Sequence, residues 1–226
     1  MMSMRIFCDF DGTISLKDTA DEIFSRFAEP EWEIIEAEWQ SGQIGSAECM
    51  QRQIALIDAS LPELDDALDS LEIDAAFPAF ARFCKAIGAT LTVISDGVDY
   101  FIHRILQRHR LDHLPIIANR LIVAGERNYS LGCPYTSIAC TARAGVCKCR
   151  LINLHNGTRI FIGDGRSDFC AAGAADLLFA KSTLAAHCGQ HSIPFIPYQD
   201  FADVQSVLQS AFPSITGAAP ARYVSI

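Results

Sequence analysis

The sequence contains no apolar run of the roughly 18 residues that a membrane-spanning helix needs, and no internal repeat or low-complexity segment. Its first residues include Arg5 but no apolar stretch that ends in a small-residue cleavage site. We therefore expect no signal peptide and a cytoplasmic location. Half of the 226 residues are apolar and 20% are charged, as is usual for globular proteins. The length suffices for one large domain or for a domain with an insertion.

Positive charge is also scarce. The chain has 18 Lys and Arg residues against 27 Asp and Glu residues, which gives a formal net charge of −9. Because affinity for nucleic acids rests on contacts of Lys and Arg with phosphates, this balance argues against a nucleic-acid partner. It is compatible with a small phosphorylated substrate, which a metal ion and one or two cationic side chains can bind.

The nine cysteines lack the spacing of a common zinc site. Four of them cluster at Cys133, Cys140, Cys147 and Cys149, yet no C-x2-C or C-x4-C pair is present. Their number is odd and the chain shows no secretion signal, so free thiols in a reducing compartment are the expected state.

Hydrophobic periodicity divides the chain into a strand, a helical stretch and an alternating part. Residues 4–10 form an apolar run typical of a buried strand. Within 19–71 apolar side chains recur at helical spacing, and Pro30 and Pro62 stand near first turns, so we predict three or four short helices. Further helices are predicted at 77–87, 98–109, from about Val146 and at 200–212. Further strands are predicted at 89–95, 159–163, 177–180 and 193–196, with a strand and the first arm of a hairpin within 114–123.

This alternation favours an α/β fold with a mainly parallel sheet flanked by helices, to which the strand at 4–10 belongs. The helical stretch is then an insertion. We predict a catalytic core formed by 1–16 and 76–226 and a small helical cap at 17–75. The last stretch, "PSITGAAPARYVSI", is expected to be a loosely held tail.

Acidic and small polar residues follow three of the predicted strands. They are Asp9 and Asp11 after the first strand, Ser95, Asp96 and Gly97 after the second, and Asp164 and Asp168 after the third. In an open parallel sheet, ligands bind beyond the carboxyl ends of the strands, so these groups should converge. Two carboxylates on one strand face repel each other. Mg2+ would remove that repulsion, and oxygen ligands of this kind are the ones it prefers.

The motifs D-F-D-G-T (9–13), S-D-G (95–97) and G-D-G-R-S-D (163–168), together with Lys148, resemble the haloacid dehalogenase superfamily over nearly the whole chain. The resemblance implies a Rossmann-like core with a helical cap inserted after the first strand. It also implies a Mg2+-dependent phosphomonoesterase that works through an aspartyl-phosphate.

The resemblance also implies roles for single residues. Asp9 becomes the nucleophile, and Asp11 becomes the general acid and then the general base. Lys148 matches the lysine that binds the nucleophile and the phosphate. The implied metal ligands are Asp9, Asp11 through its carbonyl, Asp164 and Asp168, the last acting through water or Lys148. The implied phosphate-binding groups are Ser95, Asp96, Gly97 and Thr13.

The substrate is a small phosphate ester on this interpretation, and the cap would select it. There, Asp18 would contact a substrate amine and Arg52 a carboxylate or phosphate, as in the phosphoserine phosphatases. The stretches FAEPEW (27–32), GVCK (145–148) and PYQDF (197–201) resemble the methionine-salvage phosphatases instead. We therefore expect a methionine-salvage-like phosphatase, with phosphoserine, phosphocholine or phosphoethanolamine as alternative substrates. A monomer or a homodimer is expected.

Other interpretations stay open. Ser95 and Asp168 could cap helices, Lys85 and Lys181 are alternatives to Lys148, and Trp32 and Trp39 could form cap core or a substrate pocket. A phospho-accepting receiver domain also uses Asp, Mg2+ and Lys, but it is about half this length and lacks the insertion. A catalytically inactive relative would have lost an Asp, the Ser or the Lys, whereas every motif position is filled here.

Overall fold

The sheet has seven strands within residues 4–211, the part of the chain that the computed structural model describes. The strands are β1 (Met4–Cys8), β2 (Thr90–Val98), β3 (Ile116–Gly125), β4 (Asn128–Gly132), β5 (Thr158–Gly163), β6 (Leu177–Ala180) and β7 (Ile196–Pro197). Their order in the sheet is β4-β3-β2-β1-β5-β6-β7, and only the hairpin of β3 and β4 is antiparallel.

Strand β1 lies at the centre of this sheet, between β2 and β5. Cys8 is opposite Val93 on one side and Ile162 on the other. Side chains of a strand alternate between its two faces, and both faces of β1 are buried: Ile6 packs in one apolar cluster and Phe7 in the other. Burial on both faces explains why these strands read as continuous apolar runs. The carboxyl ends of β1, β2 and β5 therefore meet at one edge.

Ten α-helices are described. They are α1 (Thr19–Phe27), α2 (Glu31–Gln40), α3 (Ser46–Ile54), α4 (Leu61–Asp69), α5 (Phe77–Ala86), α6 (Asp99–Arg108), α7 (Lys148–Asn153), α8 (Phe169–Ala172), α9 (Ser182–Gln190) and α10 (Phe201–Ala211), with a 3-10 turn at Arg166–Asp168. Among the described residues, no helix has the length and apolar character that crossing a bilayer requires.

The first four helices all lie between β1 and α5, as the sequence predicts. Side-chain caps fix the starts of α1 and α4: Asp18 accepts from the N–H groups of Ala20 and Asp21, and Ser60 forms a capping box with Glu63. One apolar cluster contains both Ile23 of α1 and core residues such as Ile6. Helices α1 and α3 contact strands of the sheet, whereas α2 packs on α3 and α4 packs on α1 and α6. The division into a core and a cap at 17–75 stays a prediction.

Several element boundaries differ from the prediction. Strand β2 continues to Val98, because the backbone stays extended into the edge where the polar groups lie. Instead of a strand followed by a hairpin arm within 114–123, a single long strand, β3, spans Ile116–Gly125, and its second half leaves the parallel sheet to pair with β4. Helix α7 begins at Lys148 rather than near Val146, and β7 is only Ile196–Pro197. The predicted tail lies outside the described residues.

Candidate active site

Asp9 and Asp11 stand on the turn that follows β1. The backbone N–H of Asp9 donates to the carbonyl of Ile162 (2.9 Å), so the parallel pairing with β5 holds this residue in place. Gly12 adopts a positive φ of 69°. A Cβ at Gly12 would lie 2.4 Å from Oδ2 of Asp164, so the close approach of the two loops requires glycine.

Lys148 is fully buried, and its ammonium joins two acidic loops. Nζ donates to Oδ1 of Asp9 (2.7 Å), to Oδ1 of Asp168 (2.6 Å) and to Oγ of Ser167 (3.2 Å). Burial alone would lower the pKa of Lys148, but the charges of Asp168 and Asp9 outweigh burial and raise that pKa. The residue that matches the motif lysine is therefore a charged group in contact with the predicted nucleophile.

Both carboxylate oxygens of Asp168 accept hydrogen bonds from protein groups. Oδ1 accepts from Lys148, and Oδ2 accepts from the N–H groups of Asp164 (3.0 Å) and Gly165 (3.2 Å). Its position explains the spacing of the 163–168 motif, since the acid folds back to hold the loop that carries Asp164. Asp168 thus shapes this loop and fixes Lys148.

Three carboxylates, those of Asp9, Asp164 and Asp168, have oxygens within 4.8 Å of one another. Asp164 accepts from Oγ1 of Thr13 (2.6 Å), and burial raises its pKa to about 6. Burial and the charge of Asp168 also raise the pKa of Asp9, against the opposing effect of Lys148. One lysine cannot balance three acids, so these groups fit a divalent cation held by Asp9 and Asp164.

The carboxylate of Asp11 lies apart from this group of three. Its Oδ1 accepts from the backbone N–H (2.8 Å) and Oγ1 (2.6 Å) of Thr19, and its Oδ2 accepts from Oγ of Ser95 (3.4 Å). Burial raises the pKa of Asp11, and the hydrogen bonds from Thr19 oppose that rise. Sequence reasoning missed Thr19, which has no motif of its own and is recognisable only as the first residue of α1.

The end of β2 completes the polar edge. Oγ of Ser95 accepts from the N–H of Gly97 (2.9 Å). A Cβ at Gly97 would lie 2.6 Å from Oδ2 of Asp11, so this glycine lets the two loops meet. Asp96 is buried beside Ser95, and its carboxylate accepts hydrogen bonds from Oγ of Ser46 (2.5 Å), the N–H of Val146 and Nδ2 of Asn119.

A cavity of about 340 Å³ opens on this edge. Its walls include the polar edge (Asp9, Asp11, Ser95, Asp96, Gly97 and Asp164), Asp18 just before α1, and residues of α1–α3 (Asp21, Phe24, Glu36, Trp39, Cys49 and Met50). Asp18 thus lies on the cavity wall while its carboxylate caps α1, and its contact with a substrate amine stays a prediction. The guanidinium of Arg52 pairs with Glu38 and Glu48 at the surface of α2 and α3 and does not line this cavity, and its contact with substrate stays a prediction.

Arg166 is a cavity residue that sequence reasoning did not identify. Its guanidinium lies 5.3 Å from the ring centre of Trp39, and Nη1 donates to the carbonyl of Gln40 (2.7 Å). The only sequence signal was its place as the variable residue of the G-D-G-R-S-D motif. Arg166 lines the cavity in the tertiary structure, where α2 packs against the loop that carries it.

The parallel sheet with its acids at the ends of β1 and β5 defines a class of protein. Residues 6–173 match the family described as haloacid dehalogenase-like hydrolase, and the chain belongs to that family. The predicted superfamily, fold class and enzyme class are confirmed: the protein is a hydrolase of this family, and its curated relatives are named as phosphatases.

Several of those relatives are named as 2-hydroxy-3-keto-5-methylthiopentenyl-1-phosphate phosphatases, and two of them serve as examples. The one from Brevibacillus brevis is 32% identical over 209 residues, which cover 90% of this chain and 94% of the relative. The one from Bacillus cereus is 32% identical over 219 residues, which cover 92% and 97%.

Solved structures share the fold. A phospho-aspartyl intermediate analogue of phosphoserine phosphatase superposes with a TM-score of 0.69 at 20% identity, covering 92% of this chain and 99% of that chain. A phosphoserine phosphohydrolase-like protein from Francisella tularensis has a TM-score of 0.63 at 18% identity, covering 92% and 100%. At these identities the likeness concerns the fold alone.

Proposed function

We propose that the protein is a Mg2+-dependent phosphomonoesterase that acts on a small phosphorylated metabolite through an aspartyl-phosphate on Asp9. The observation that carries this proposal is the environment of Asp9. Lys148 binds Oδ1 of this buried carboxylate, while none of the described residues donates a hydrogen bond to Oδ2. Asp9 also lines the cavity, so one oxygen is oriented by a cation and the other is available to react.

The reaction then follows from the neighbouring groups. Oδ2 of Asp9 attacks phosphorus, the bond between phosphorus and the ester oxygen breaks, and Asp11 protonates the departing alkoxide. In the second step Asp11 takes a proton from water, which attacks phosphorus and releases phosphate from Asp9. Burial raises the pKa of Asp11, which suits a carboxyl group that must both donate and accept a proton.

The phosphoryl oxygens are negatively charged and need a cation and hydrogen-bond donors beside them. We assign this role to Lys148, to Oγ of Ser95 and to the N–H of Gly97, which lie at the same edge of the sheet. Mg2+, held by Asp9, Asp164 and the carbonyl of Asp11, would neutralise charge on the transferring phosphoryl group. Asp168 contributes by holding Lys148 and the loop of Asp164.

The substrate we favour is that of the methionine-salvage relatives. Their names and their identity to this chain support it, and so do Phe24, Trp39, Cys49 and Met50, which give the cavity an apolar wall suited to a thioether tail. A phosphorylated amine such as phosphoserine, phosphocholine or phosphoethanolamine is the second candidate. Asp18, Asp21 and Glu36 favour it, because these acids line the same cavity. In both cases residues 17–75 act as a cap that encloses the substrate.

Turnover of p-nitrophenyl phosphate with Mg2+ tests the reaction. Wild-type protein should release p-nitrophenol, and Asp9→Asn should reduce the rate to the background level. Asp74→Asn is the matched control, since Asp74 is a buried carboxylate that binds backbone N–H groups of Ala76 and Phe201 outside the cavity. An active Asp9→Asn variant would refute the mechanism.

The substrate is tested with a panel ranked by kcat/KM. It contains phosphoserine, phosphocholine, phosphoethanolamine and 2-hydroxy-3-keto-5-methylthiopentenyl-1-phosphate. We expect 2-hydroxy-3-keto-5-methylthiopentenyl-1-phosphate to have the highest kcat/KM. A strong preference for one of the other three compounds, which all carry an amine or ammonium group, would favour the second candidate.

A further inference from the structure

We infer that Asp96 is a positioning residue: its carboxylate fixes the loop that carries Lys148 and anchors the first residue of α3 to the sheet. This inference rests on the proposed function, because the effect of Asp96 is expressed through Lys148 and through closure of the cavity by α2 and α3.

One of the contacts that Asp96 makes is with the loop before α7. Oδ1 of Asp96 accepts from the backbone N–H of Val146 (2.8 Å), two residues before Lys148. All of 144–148 is buried, and Lys148 must place its ammonium between Asp9 and Asp168. The end of β2 thereby sets the position from which the lysine reaches the nucleophile.

Another contact of Asp96 is with the start of α3. Oδ2 of Asp96 accepts from Oγ of Ser46, the first residue of that helix, at 2.5 Å. Nearby, the N–H of Ala47 donates to the carbonyl of Arg143 (3.2 Å), and Nη2 of Arg143 donates to the carbonyls of Gly42 and Gln43 (3.3 Å each). The 40–47 segment is thus tied to the core, and Ser46–Asp96 is the innermost of these ties because Asp96 is buried.

Asn119 of β3 completes the arrangement. Its Nδ2 donates to the backbone carbonyl of Asp96 (2.6 Å) and to Oδ1 (3.3 Å). A Cβ at Gly145 would lie 2.3 Å from Oδ1 of Asn119, so the loop before Val146 packs directly against this amide. Asp96 is therefore held in one orientation, as a residue that positions other groups must be.

The sequence places Asp96 among the phosphate-binding groups, and the contacts favour a different role. Both oxygens already accept hydrogen bonds from protein donors. A carboxylate beside a phosphate would also repel it. The role that we infer does not depend on the charge of Asp96. A side chain of the same shape that accepts a hydrogen bond from the N–H of Val146 and forms one with Ser46 should support activity.

The test compares Asp96→Ala, Asp96→Asn and Ser46→Ala in steady-state kinetics with p-nitrophenyl phosphate. Asp96→Ala should lower kcat about 100-fold, because Lys148 loses its fixed position. Asp96→Asn should stay within about fivefold of the wild type, since its oxygen can accept from Val146 while its amide donates to Ser46. Ser46→Ala should raise KM about tenfold and leave kcat within about twofold. Controls are Asp74→Ala, a buried aspartate elsewhere, and Ser206→Ala, an exposed serine of α10.

A second measurement does not depend on activity. Hydrogen exchange of the Val146 amide should accelerate at least tenfold in Asp96→Ala, and exchange in 40–47 should accelerate in Ser46→Ala. If Asp96→Ala does not fold, Asp96→Asn and Ser46→Ala decide the question.

Three results would overturn the inference. One is an Asp96→Asn variant as inactive as the alanine variant, which would mean that the charge itself acts on substrate. Another is an unchanged KM in Ser46→Ala, and the third is an unchanged amide exchange at Val146. If wild-type protein shows no turnover, the proposed function fails, and the exchange data still judge the two contacts of Asp96.

Discussion

At the scale of single residues, the contacts of Lys148 matter most. Its ammonium is completely buried and is the cation that contacts Asp9 and Asp168. A buried charge that loses its partner is costly, because the remaining charge stays in a medium of low polarity. Lys148 therefore contributes both to the proposed chemistry and to the stability of the edge where β1 and β5 end.

Replacement of this lysine gives a prediction with a defined pH dependence. Lys148→Met should destabilise the protein by about 3–5 kcal/mol near neutral pH and abolish phosphatase turnover. Burial and Asp168 raise the pKa of Asp9, and Lys148 opposes that rise. In the variant the folded state should thus keep a proton on Asp9 to a higher pH than the wild type does. Its stability deficit should grow as pH rises past the raised pKa that Asp9 has in the wild type, and it should shrink as pH falls below that pKa.

Urea unfolding at several pH values measures this effect. Lys85→Met, at an exposed position of α5, is the control and should show no such pH dependence. A deficit that does not change between pH 4 and pH 8 would contradict the electrostatic explanation.

At this scale the sequence is most informative about position where a motif residue directly follows a buried strand. Asp9, Ser95 and Asp164 lie at the sheet edge and line the cavity, and Lys148 contacts Asp9, while their roles in the reaction stay predictions. The sequence says less about Arg52, because a helix arginine can turn to any nearby acid, and here it pairs with Glu38 of α2 and with Glu48 one turn earlier in α3.

At the scale of elements, the relation between α2 and the 163–168 loop decides how the cavity is enclosed. Arg166 is the link: its guanidinium contacts the ring of Trp39 and the carbonyl of Gln40 at the end of α2. Cation–π contacts at exposed sites are worth about 0.5–1 kcal/mol, and a hydrogen bond from a charged donor adds to this.

Removing this link should loosen α2. For Arg166→Ala we predict a KM about tenfold higher than that of the wild type. The kcat should stay within about threefold, because the side chain contacts Trp39 and the carbonyl of Gln40 rather than Asp9 or Lys148. Steady-state kinetics and hydrogen exchange over 39–43 measure the effect. Arg26→Ala serves as the control, because Arg26 is an exposed arginine of α1 that pairs with Glu22 away from that loop. An unchanged KM together with unchanged exchange would exclude a role in enclosure.

The element predictions were strongest for helices with caps and for strands buried on both faces. They were weakest near 114–123 and 193–196. Strand β3 changes partner along its length, from β2 to β4, and β7 pairs with β6 through only Ile196 and Pro197. Pairing of this kind depends on which strands are neighbours, and local periodicity does not contain that information.

At the scale of the whole molecule, the three acids that surround one lysine at the sheet edge lead us to expect that Mg2+ stabilises the folded state. Mg2+ at 100 times its dissociation constant should add about 2.7 kcal/mol to the free energy of unfolding. For a chain of this size this corresponds to a rise in Tm of about 5–10 °C.

Thermal unfolding with and without Mg2+ checks this prediction, and EDTA should reverse the rise. Asp164→Asn should lose it, whereas Asp176→Asn should keep it, because Asp176 pairs with Arg159 at the surface. An equal rise in both variants would place the ion elsewhere. The cytoplasmic location and the monomeric or dimeric state stay predictions of the sequence.

The sequence by itself determined the family, the α/β class and the acids of the candidate site. It could do so because buried strands, helical insertions and motif acids leave local patterns that do not depend on distant residues. The tertiary structure alone decided which groups meet: Thr19 on Asp11, Arg166 on α2, and Asp96 between Ser46 and Val146. Those contacts join segments up to 126 positions apart, and only the sheet order and the packing of α1–α3 bring them together.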